Sequence, residues 1–239
     1  MPTQILISQT TITFPEIALR PRDGHKLRGY FGNLFREYSP LLHNHLTNEQ
    51  PDAPSAYLDS PTPRYRYAYP LVQYKVIDQV PTLIGLGEGA QLLTQLFLQM
   101  RHLDINGERF PILSKHIHHN QAVLGMADEL IEYQFDTLWM ALNQSNYRDY
   151  RRYTYAEQQA QLKRILITQL LATFREFNLW LEPQERILVR LSVNEQPTQF
   201  KNQRMVGFTG HFLINVSLPD KIGLGKAVSR GFGSISWRG

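Results

Sequence analysis

The 239-residue chain contains no cysteine. Disulfide frameworks, zinc sites built on thiolates and cysteine nucleophiles are therefore excluded. The chain also lacks an uninterrupted apolar run near the ~20 residues that a membrane-spanning helix requires. Residues 1–8 lack the charged-then-apolar pattern of a secretory leader, so we expect a cytoplasmic location and no membrane partner. No cluster of acidic residues offers magnesium a set of oxygen ligands.

The positive charge is concentrated near the C-terminal end. The net charge is +4 with histidine neutral, and residues 199–239 contain six Lys or Arg side chains and one Asp. The remaining residues carry a net charge of −1. A basic cluster of this kind attracts phosphate backbones, although a solvated basic tail would have the same composition.

The last seventeen residues, GLGKAVSRGFGSISWRG, combine this charge with glycine. Glycine is used where the backbone needs positive φ or where another chain comes close. A nucleotide P-loop is excluded, because it needs Gly-Lys-Ser/Thr opening a helix, whereas Lys226 is followed by Ala227. A longer polyanion remains, and contact with it is favoured over a tight turn before an edge strand. The candidate residues for binding this polyanion are Gly223, Gly225, Lys226, Arg230, Gly231 and Gly233.

The first half of the chain alternates strand-like and helix-like segments. Residues 4–14 alternate and are β-branched, which predicts a strand. Apolar residues from Leu27 to Tyr38 recur every three or four positions, which predicts a helix with Asp23 as N-cap, ended by Ser39-Pro40. We predict a loop at 47–64, strands at 66–77 and 82–84, a short helix at 90–100 and a strand around 110–118.

The same order then begins again. Residues 127–142 are strand-like, a helix is predicted over 155–177 with a capping box of Thr154 and Glu157, and strands follow at 186–193 and 206–218. We therefore predict an α+β fold of two tandem ferredoxin-like (RRM-like) βαββαβ units, the second shortened and ending in the glycine-rich loop and a final strand. The predicted domains are residues 1–123 and 124–239, with the boundary near residues 120–126.

These features resemble the RAMP superfamily of CRISPR-associated proteins, and within it the endoribonuclease that cuts CRISPR precursor transcripts at each repeat. The resemblance rests on Gly223-Leu224-Gly225 and Gly231-Phe232-Gly233, followed by a last strand over 234–237. It also rests on Leu41-Leu42-His43-Asn44-His45 at the end of the first helix. The second unit lacks the second helix of a full ferredoxin-like fold, so no functional residue is carried over from that missing helix.

The resemblance implies an activity and a partner. The glycine-rich loop would bind the backbone of CRISPR repeat RNA, and cleavage would need neither a metal nor a cofactor. The ribose 2′-hydroxyl would attack the adjacent phosphate and leave a 2′,3′-cyclic phosphate and a 5′-hydroxyl. A homodimer and hand-over of the product to a CRISPR effector complex are both compatible with this activity.

His43 and His45 are the candidate catalytic residues. The reaction needs a base for the 2′-proton and an acid for the leaving 5′-oxygen, and histidine titrates near neutral pH. Histidines two positions apart share a side only on extended backbone, which the helix end permits; a helix-end histidine bonded to a terminal carbonyl is the structural alternative. We expect His45 to be indispensable, and the assignment of acid and base stays open. Lys26 and Arg28, on the first helix, would bind phosphate or be solvated.

Residues 85–90, GLGEGA, approximate the dinucleotide-binding fingerprint, with Asp104 downstream. This interpretation is disfavoured, because the next predicted strand lacks the buried apolar run of a parallel sheet.

Two further sets of side chains have alternative interpretations. Four histidines could bind a metal, although no carboxylate or cysteine completes the set and a polar exposed strand is favoured: His102, His116, His118 and His119. Three tyrosines between arginines could stack on unpaired bases or belong to an ordinary sheet: Tyr65, Tyr67 and Tyr69.

Two other functions remain compatible with the sequence. One is a non-cleaving RAMP subunit that binds guide RNA in a CRISPR effector complex, and the other is a generic RNA-binding pair of ferredoxin-like units. The two histidines at the family's catalytic position favour the endoribonuclease.

Overall fold

The computed structural model describes residues 2–35, 38–39, 41, 68–200 and 203–238. Its helices and strands follow one another as β1 (Gln4–Thr13), α1 (Gly24–Leu34), β2 (Val72–Ile77), β3 (Val80–Leu86), α2 (Glu88–Leu96), β4 (His102–Ile105), β5 (Glu108–Pro111), β6 (His116–Phe135), α3 (Gln144–Tyr150), α4 (Tyr155–Glu176), β7 (Val189–Phe200), β8 (Gln203–Ser217) and β9 (Ile235–Trp237). Short 3-10 turns lie at Pro21–Asp23, Phe97–Gln99 and Val228–Arg230.

Seven of the strands form one sheet in the order β2-β3-β1-β6-β8-β7, with β9 added against β6. Every pairing between described strands is antiparallel. Strands β4 and β5 form a separate two-stranded hairpin. The mixed α+β class that the sequence predicts is confirmed.

Strand β6 lies in the middle of the sheet, between β1 and β8, and pairs with strands of both halves. Its first part, His116 to Gly125, pairs with β1, and its later part pairs with β8 and β9. The prediction of separate strands around 110–118 and at 127–142 is wrong, because one 20-residue strand, His116–Phe135, begins in the first region and continues without a break into the second. The predicted boundary at 120–126 falls inside this strand, and the division into two tandem ferredoxin-like units stays a prediction.

The helices agree with the sequence where local capping decides them. Thr154 caps α4, since its backbone N–H donates to Glu157 Oε2 at 2.8 Å while its own side chain accepts from the Glu157 backbone. Helix α1 ends at Leu34, earlier than predicted, and Phe35 occupies its C-cap. Helix α3 and the β4–β5 hairpin were not predicted.

The core consists of two clusters of buried side chains. One lies under α1 and α2 and includes Phe31, Tyr74 and Leu93. The other lies under α4 and includes Leu166 and Phe212. Over the described part of the chain, no helix is both long and apolar enough to cross a membrane.

Candidate nucleic-acid interface

The glycine-rich loop, residues 221–234, is folded back on itself between β8 and β9. Gly223 pairs with Ser234 in an isolated β-bridge, and the Leu224 N–H donates to the Gly233 carbonyl at 2.9 Å. The Lys226 N–H donates to the carbonyl of Met140 at 3.0 Å, which joins the loop to the body of the protein. The interpretation of this segment as a solvated tail is therefore wrong.

The glycines of the loop meet backbone and side-chain atoms of the protein itself. Gly225 and Gly231 have φ of +101° and +97°, which L side chains adopt only with strain. A Cβ at Gly233 would lie 1.8 Å from the Leu224 carbonyl oxygen, and one at Gly225 would lie 2.9 Å from Trp139 Cδ1. Packing and positive φ therefore explain why glycine is required here, and close approach of an RNA phosphate stays a prediction.

Three side chains from the β2 region hold the loop from beneath. The Tyr69 hydroxyl donates to the Gly223 carbonyl at 2.8 Å, and the Gly223 N–H donates to Gln73 Oε1 at 2.9 Å. The Lys75 ammonium donates to the carbonyl of Lys221. Gln73 and Lys75 are fully buried polar residues in a strand that is otherwise apolar, VQYKVI. The sequence reasoning missed this contact, although two polar residues within such a strand were a readable signal.

Lys75 is a charge-bearing group inside the protein. Burial lowers its pKa to about 7, although the carboxylates of Asp136 and Asp220 act in the opposite direction. Burial also raises the pKa of Asp136, whose Oδ1 accepts a hydrogen bond from the Ser236 hydroxyl at 2.7 Å. The support of the loop therefore depends on a lysine that changes charge near neutral pH.

A groove of about 810 Å³ lies between the segment preceding α1 and the glycine-rich loop. The end of β6 and the β7–β8 hairpin also contribute to its walls. Its polar lining consists of basic side chains, hydroxyl groups and one carboxylate: Arg20, Arg22, His25, Lys26, Arg230, Thr137, Thr198, Thr209 and Asp136. The apolar side chains of Pro21, Leu138 and Phe232 complete the lining. A concave surface lined by cations binds phosphate backbones, because it concentrates positive potential where the backbone enters.

The structure brings some of the predicted RNA-binding residues together at this groove. Lys26, Arg230 and Gly231 line it. Lys226 is exposed on the same loop but does not line the groove, and Arg28 is half-buried near Tyr74.

The predicted catalytic residues His43 and His45 lie outside the described residues. The same is true of Tyr65 and Tyr67, whereas Tyr69 is held beneath the loop and is unsuited to stacking on a base.

Sequence reasoning missed Arg20, Arg22 and His25 as part of this surface. They belong to the run RPRDGHK, residues 20–26, which precedes and enters α1. Asp23 within this run accepts hydrogen bonds from the Arg20 N–H at 3.2 Å and from Lys26 Nζ at 2.5 Å. Burial alone would raise the pKa of Asp23, but these bonds outweigh it and lower the pKa overall. The density of cations in seven residues was the available signal.

The other motifs have structural explanations. Strand β3, whose last two residues begin the 85–90 segment, is antiparallel to both of its neighbours, so the dinucleotide-binding fold is absent there. A Cβ at Gly89 would lie 2.2 Å from the Leu71 carbonyl oxygen, which explains that glycine by close packing. His119 Nδ1 forms a hydrogen bond with Thr10 Oγ1 at 2.8 Å, while His116 and His118 are exposed on β6.

Comparison with known families gives two matches that together cover nearly the whole chain. The Cas6b N-terminal domain matches residues 5–123, and the Cas6b C-terminal domain matches residues 125–237. A curated relative, an uncharacterised protein of Methanocaldococcus jannaschii, is 28% identical over 141 residues, which is 59% of this chain and 95% of that protein.

Solved structures are similar over a comparable length. A crystal structure of Cas6b has a TM-score of 0.87 and 33% identity, and covers 98% of this chain and 100% of its own. A crystal structure described as the CRISPR RNA processing endoribonuclease Cas6b has a TM-score of 0.74 and 31% identity, with the same coverage. A type IV Cas6 crRNA endonuclease, Csf5, has a TM-score of 0.61 at 14% identity, which is a similarity of fold alone.

Proposed function

Because the chain belongs to the Cas6b family, we propose that it is an endoribonuclease that binds CRISPR repeat RNA and cleaves the precursor transcript. The observation that carries this proposal is the groove between residues 20–26 and the glycine-rich loop, whose lining is rich in Arg, Lys and hydroxyl side chains. Such a lining neutralises several phosphates of one strand at once, which favours a polyanion over a small anionic ligand.

The proposed reaction is an internal attack by the RNA. The 2′-oxygen forms a bond to the adjacent phosphorus while the bond from phosphorus to the 5′-oxygen breaks, leaving a 2′,3′-cyclic phosphate and a 5′-hydroxyl. A base accepts the 2′-proton and an acid donates a proton to the 5′-oxygen. We assign these roles to His43 and His45, which are suited to them because imidazole titrates near neutral pH. This route uses no metal and no cofactor.

The described residues would bind and orient the RNA. Arg230 and Lys26 face the groove from its two sides, where they would bind successive phosphates and stabilise charge that develops at the reacting one. Lys226 would bind a phosphate outside the groove, and Arg28 would add positive potential from α1. The backbone around Gly223, Gly225, Gly231 and Gly233 would run alongside the RNA backbone. The packing of these glycines against the protein already fixes the shape of the loop.

The cleavage chemistry can be tested with a panel of CRISPR repeat RNAs in the presence of EDTA. We expect one site-specific cut, and no cut when the sugar on the 5′ side of the scissile phosphate is 2′-deoxy. His45→Ala should slow cleavage roughly 100- to 10,000-fold, the range for removal of acid–base catalysis, while binding stays near wild type. A 2′-deoxy substrate that is cut as fast as RNA would refute the mechanism. Tight binding without cleavage of any repeat would indicate a non-cleaving RNA-binding subunit.

RNA binding can be tested separately through its salt dependence. Lys226→Ala combined with Arg230→Ala should weaken binding and reduce the slope of log K against log salt by roughly 0.7 for each phosphate that is no longer neutralised. Arg164→Ala combined with Arg175→Ala is the matched control, because it removes two exposed cations from α4. Equal slopes for both double variants would contradict the assignment of the groove and loop as the RNA interface.

A further inference from the structure

A second basic surface lies at the junction of α3 and α4, away from the residues assigned above. The segment YRDYRRYTY, residues 147–155, contains three arginines, one aspartate and four tyrosines. Tyr150 is buried, but Tyr153 and Tyr155 are 39% and 77% exposed. Arginine interleaved with exposed aromatic side chains is the composition of surfaces that bind single-stranded nucleic acid, since bases stack on the rings and guanidinium groups bind the phosphates.

The arginines of this surface are largely available to a ligand. Arg148, Arg151 and Arg152 are all exposed. Arg151 lies 3.7 Å from Glu195 across a solvent-exposed ion pair, which is a weak interaction. Arg148 and Arg152 form no ion pair with any residue that the structure describes.

Hydrogen bonds and ring packing hold the α3–α4 junction in place before any ligand binds. The Asn146 N–H donates to Asn143 Oδ1 at 2.8 Å at the start of α3. The Gln158 side chain donates to the Tyr150 carbonyl at 2.9 Å and ties α4 to the end of α3. The Tyr150 ring packs edge-on against Phe208, with 5.9 Å between centroids. A surface that is already ordered loses less conformational entropy on binding.

Beside this junction lies a hollow of about 350 Å³ between α3 and the β7–β8 hairpin. Its walls are mainly apolar and are formed by Leu142, Tyr147, Pro197, Met205 and Val206. Four polar side chains also line it: Asn143, Gln144, Arg151 and Glu195. An apolar hollow with a few polar groups suits a flat heteroaromatic ring whose edge needs hydrogen-bond partners. The carboxylate of Glu195 accepts hydrogen bonds and the guanidinium of Arg151 donates them, so the hollow offers both kinds of partner to a nucleobase edge.

The hollow and the basic groove share one element. Thr198 and Thr209 of the β7–β8 hairpin line the groove, while Pro197 and Val206 of the same hairpin line the hollow. Adjacent residues of a strand face opposite sides of the sheet, so RNA that leaves the groove would pass round this hairpin to reach the hollow.

We propose that the hollow and the adjoining Arg148 and Arg152 form a second RNA-binding site, which holds one unpaired nucleotide of the precursor transcript. The base occupies the hollow, the flanking phosphates contact the two arginines, and a neighbouring base stacks on Tyr153. The ligand class is single-stranded RNA, and this inference rests on the proposed function only in naming the precursor as its source.

The charge of the site is tested with Arg148→Ala combined with Arg152→Ala, and Arg164→Ala combined with Arg175→Ala is the control. Affinity is measured for a repeat RNA with single-stranded extensions at both ends and for the same RNA trimmed of them. The first double variant should bind the extended RNA roughly tenfold more weakly, because two phosphate contacts are lost, and should bind the trimmed RNA as wild type does. Equal weakening for both RNAs, or none for either, would overturn the proposal.

The hollow is tested without changing charge by Met205→Trp, which fills it with a side chain. This variant should show the same selective weakening for the extended RNA, provided that its thermal unfolding matches wild type. Photo-crosslinking of extended RNA containing 4-thiouridine should label peptides from residues 142–155 in the wild type and not in Met205→Trp. If residues 142–155 are labelled but the protein cleaves no repeat, the proposed endoribonuclease function is refuted and the second RNA-binding site is supported. If the protein cleaves a repeat but these residues are not labelled, the second site is refuted and the endoribonuclease function is supported.

Discussion

Replacing Lys75 with methionine tests how the glycine-rich loop is supported. Lys75 is fully buried in β2, and its ammonium donates to the carbonyl of Lys221. Methionine has a similar length and no charge, so Lys75→Met removes the desolvation penalty and the hydrogen bond together. The Ser234 hydroxyl, which also donates to the Lys221 carbonyl at 3.3 Å, keeps that oxygen from being left without a partner.

The pKa of Lys75 sets the size of the effect. Burial lowers this pKa from 10.5 to about 7 in the folded protein. The unfolded chain therefore binds one more proton than the folded one between about pH 7 and pH 10.5, and stability rises with pH over that window. The full penalty, present below pH 7, is about 5 kcal/mol. Between pH 7 and pH 9 the wild type should gain about 2 kcal/mol of unfolding free energy from this lysine.

The measurement is urea unfolding of wild type and Lys75→Met at pH 7, 8 and 9. Burial also raises the pKa of Tyr69 and Tyr74, but ionisation of tyrosine in the unfolded chain contributes little below pH 9. The difference between the two proteins should shift by about 2 kcal/mol in favour of the wild type as the pH rises.

Lys75→Arg is the matched control. A guanidinium keeps its charge throughout this range, so this variant should show no corresponding rise in stability. If wild type and Lys75→Met unfold with a constant difference from pH 7 to pH 9, the account of Lys75 as a buried lysine that loses its proton near neutral pH is wrong.

Two further predictions concern local geometry. Gly233 has a φ of +66°, and a Cβ there would overlap the Leu224 carbonyl oxygen, so Gly233→Ala should destabilise the fold by at least about 2 kcal/mol. Gly107 has a similar φ of +77° but no neighbouring atom in the way, so Gly107→Ala is the control and should cost only about 1 kcal/mol. Equal destabilisation in urea unfolding would remove the packing argument. Thr154→Ala should cost about 1 kcal/mol by removing the α4 cap and Thr154→Ser should restore most of it, as thermal unfolding of the three proteins would show.

The features that the sequence predicts correctly are those decided by near neighbours. The capping box of α4 involves residues three positions apart, and the amphipathic pattern of α1 repeats within a few turns. Strand β6 is different, because its register shifts between Met126 and Ile131 and interrupts the alternation that marks a strand. Its continuity depends on β1 before the interruption and on β8 and β9 after it, which no local pattern reveals.

The candidate site shows the same division. The basic charge of the glycine-rich loop is visible in residues 223–239, but its support comes from distant strands. The hydrogen bond between Gly223 and Gln73 joins residues 150 positions apart. The groove likewise combines residues 20–26 with Arg230, so its cations could be named from the sequence but not assembled into one surface.

The groove also determines when the protein can first act during its own synthesis. One wall comes from residues 20–26, and the other includes Arg230 and Gly231. Ribosomes add roughly 5–20 residues per second, and segments made early begin to fold before later ones emerge. The groove cannot form until residue 232 has left the ribosome, so a nascent or prematurely terminated chain would lack it. RNA cleavage would then be confined to chains translated through the glycine-rich loop, and polysome-bound fragments would be inactive.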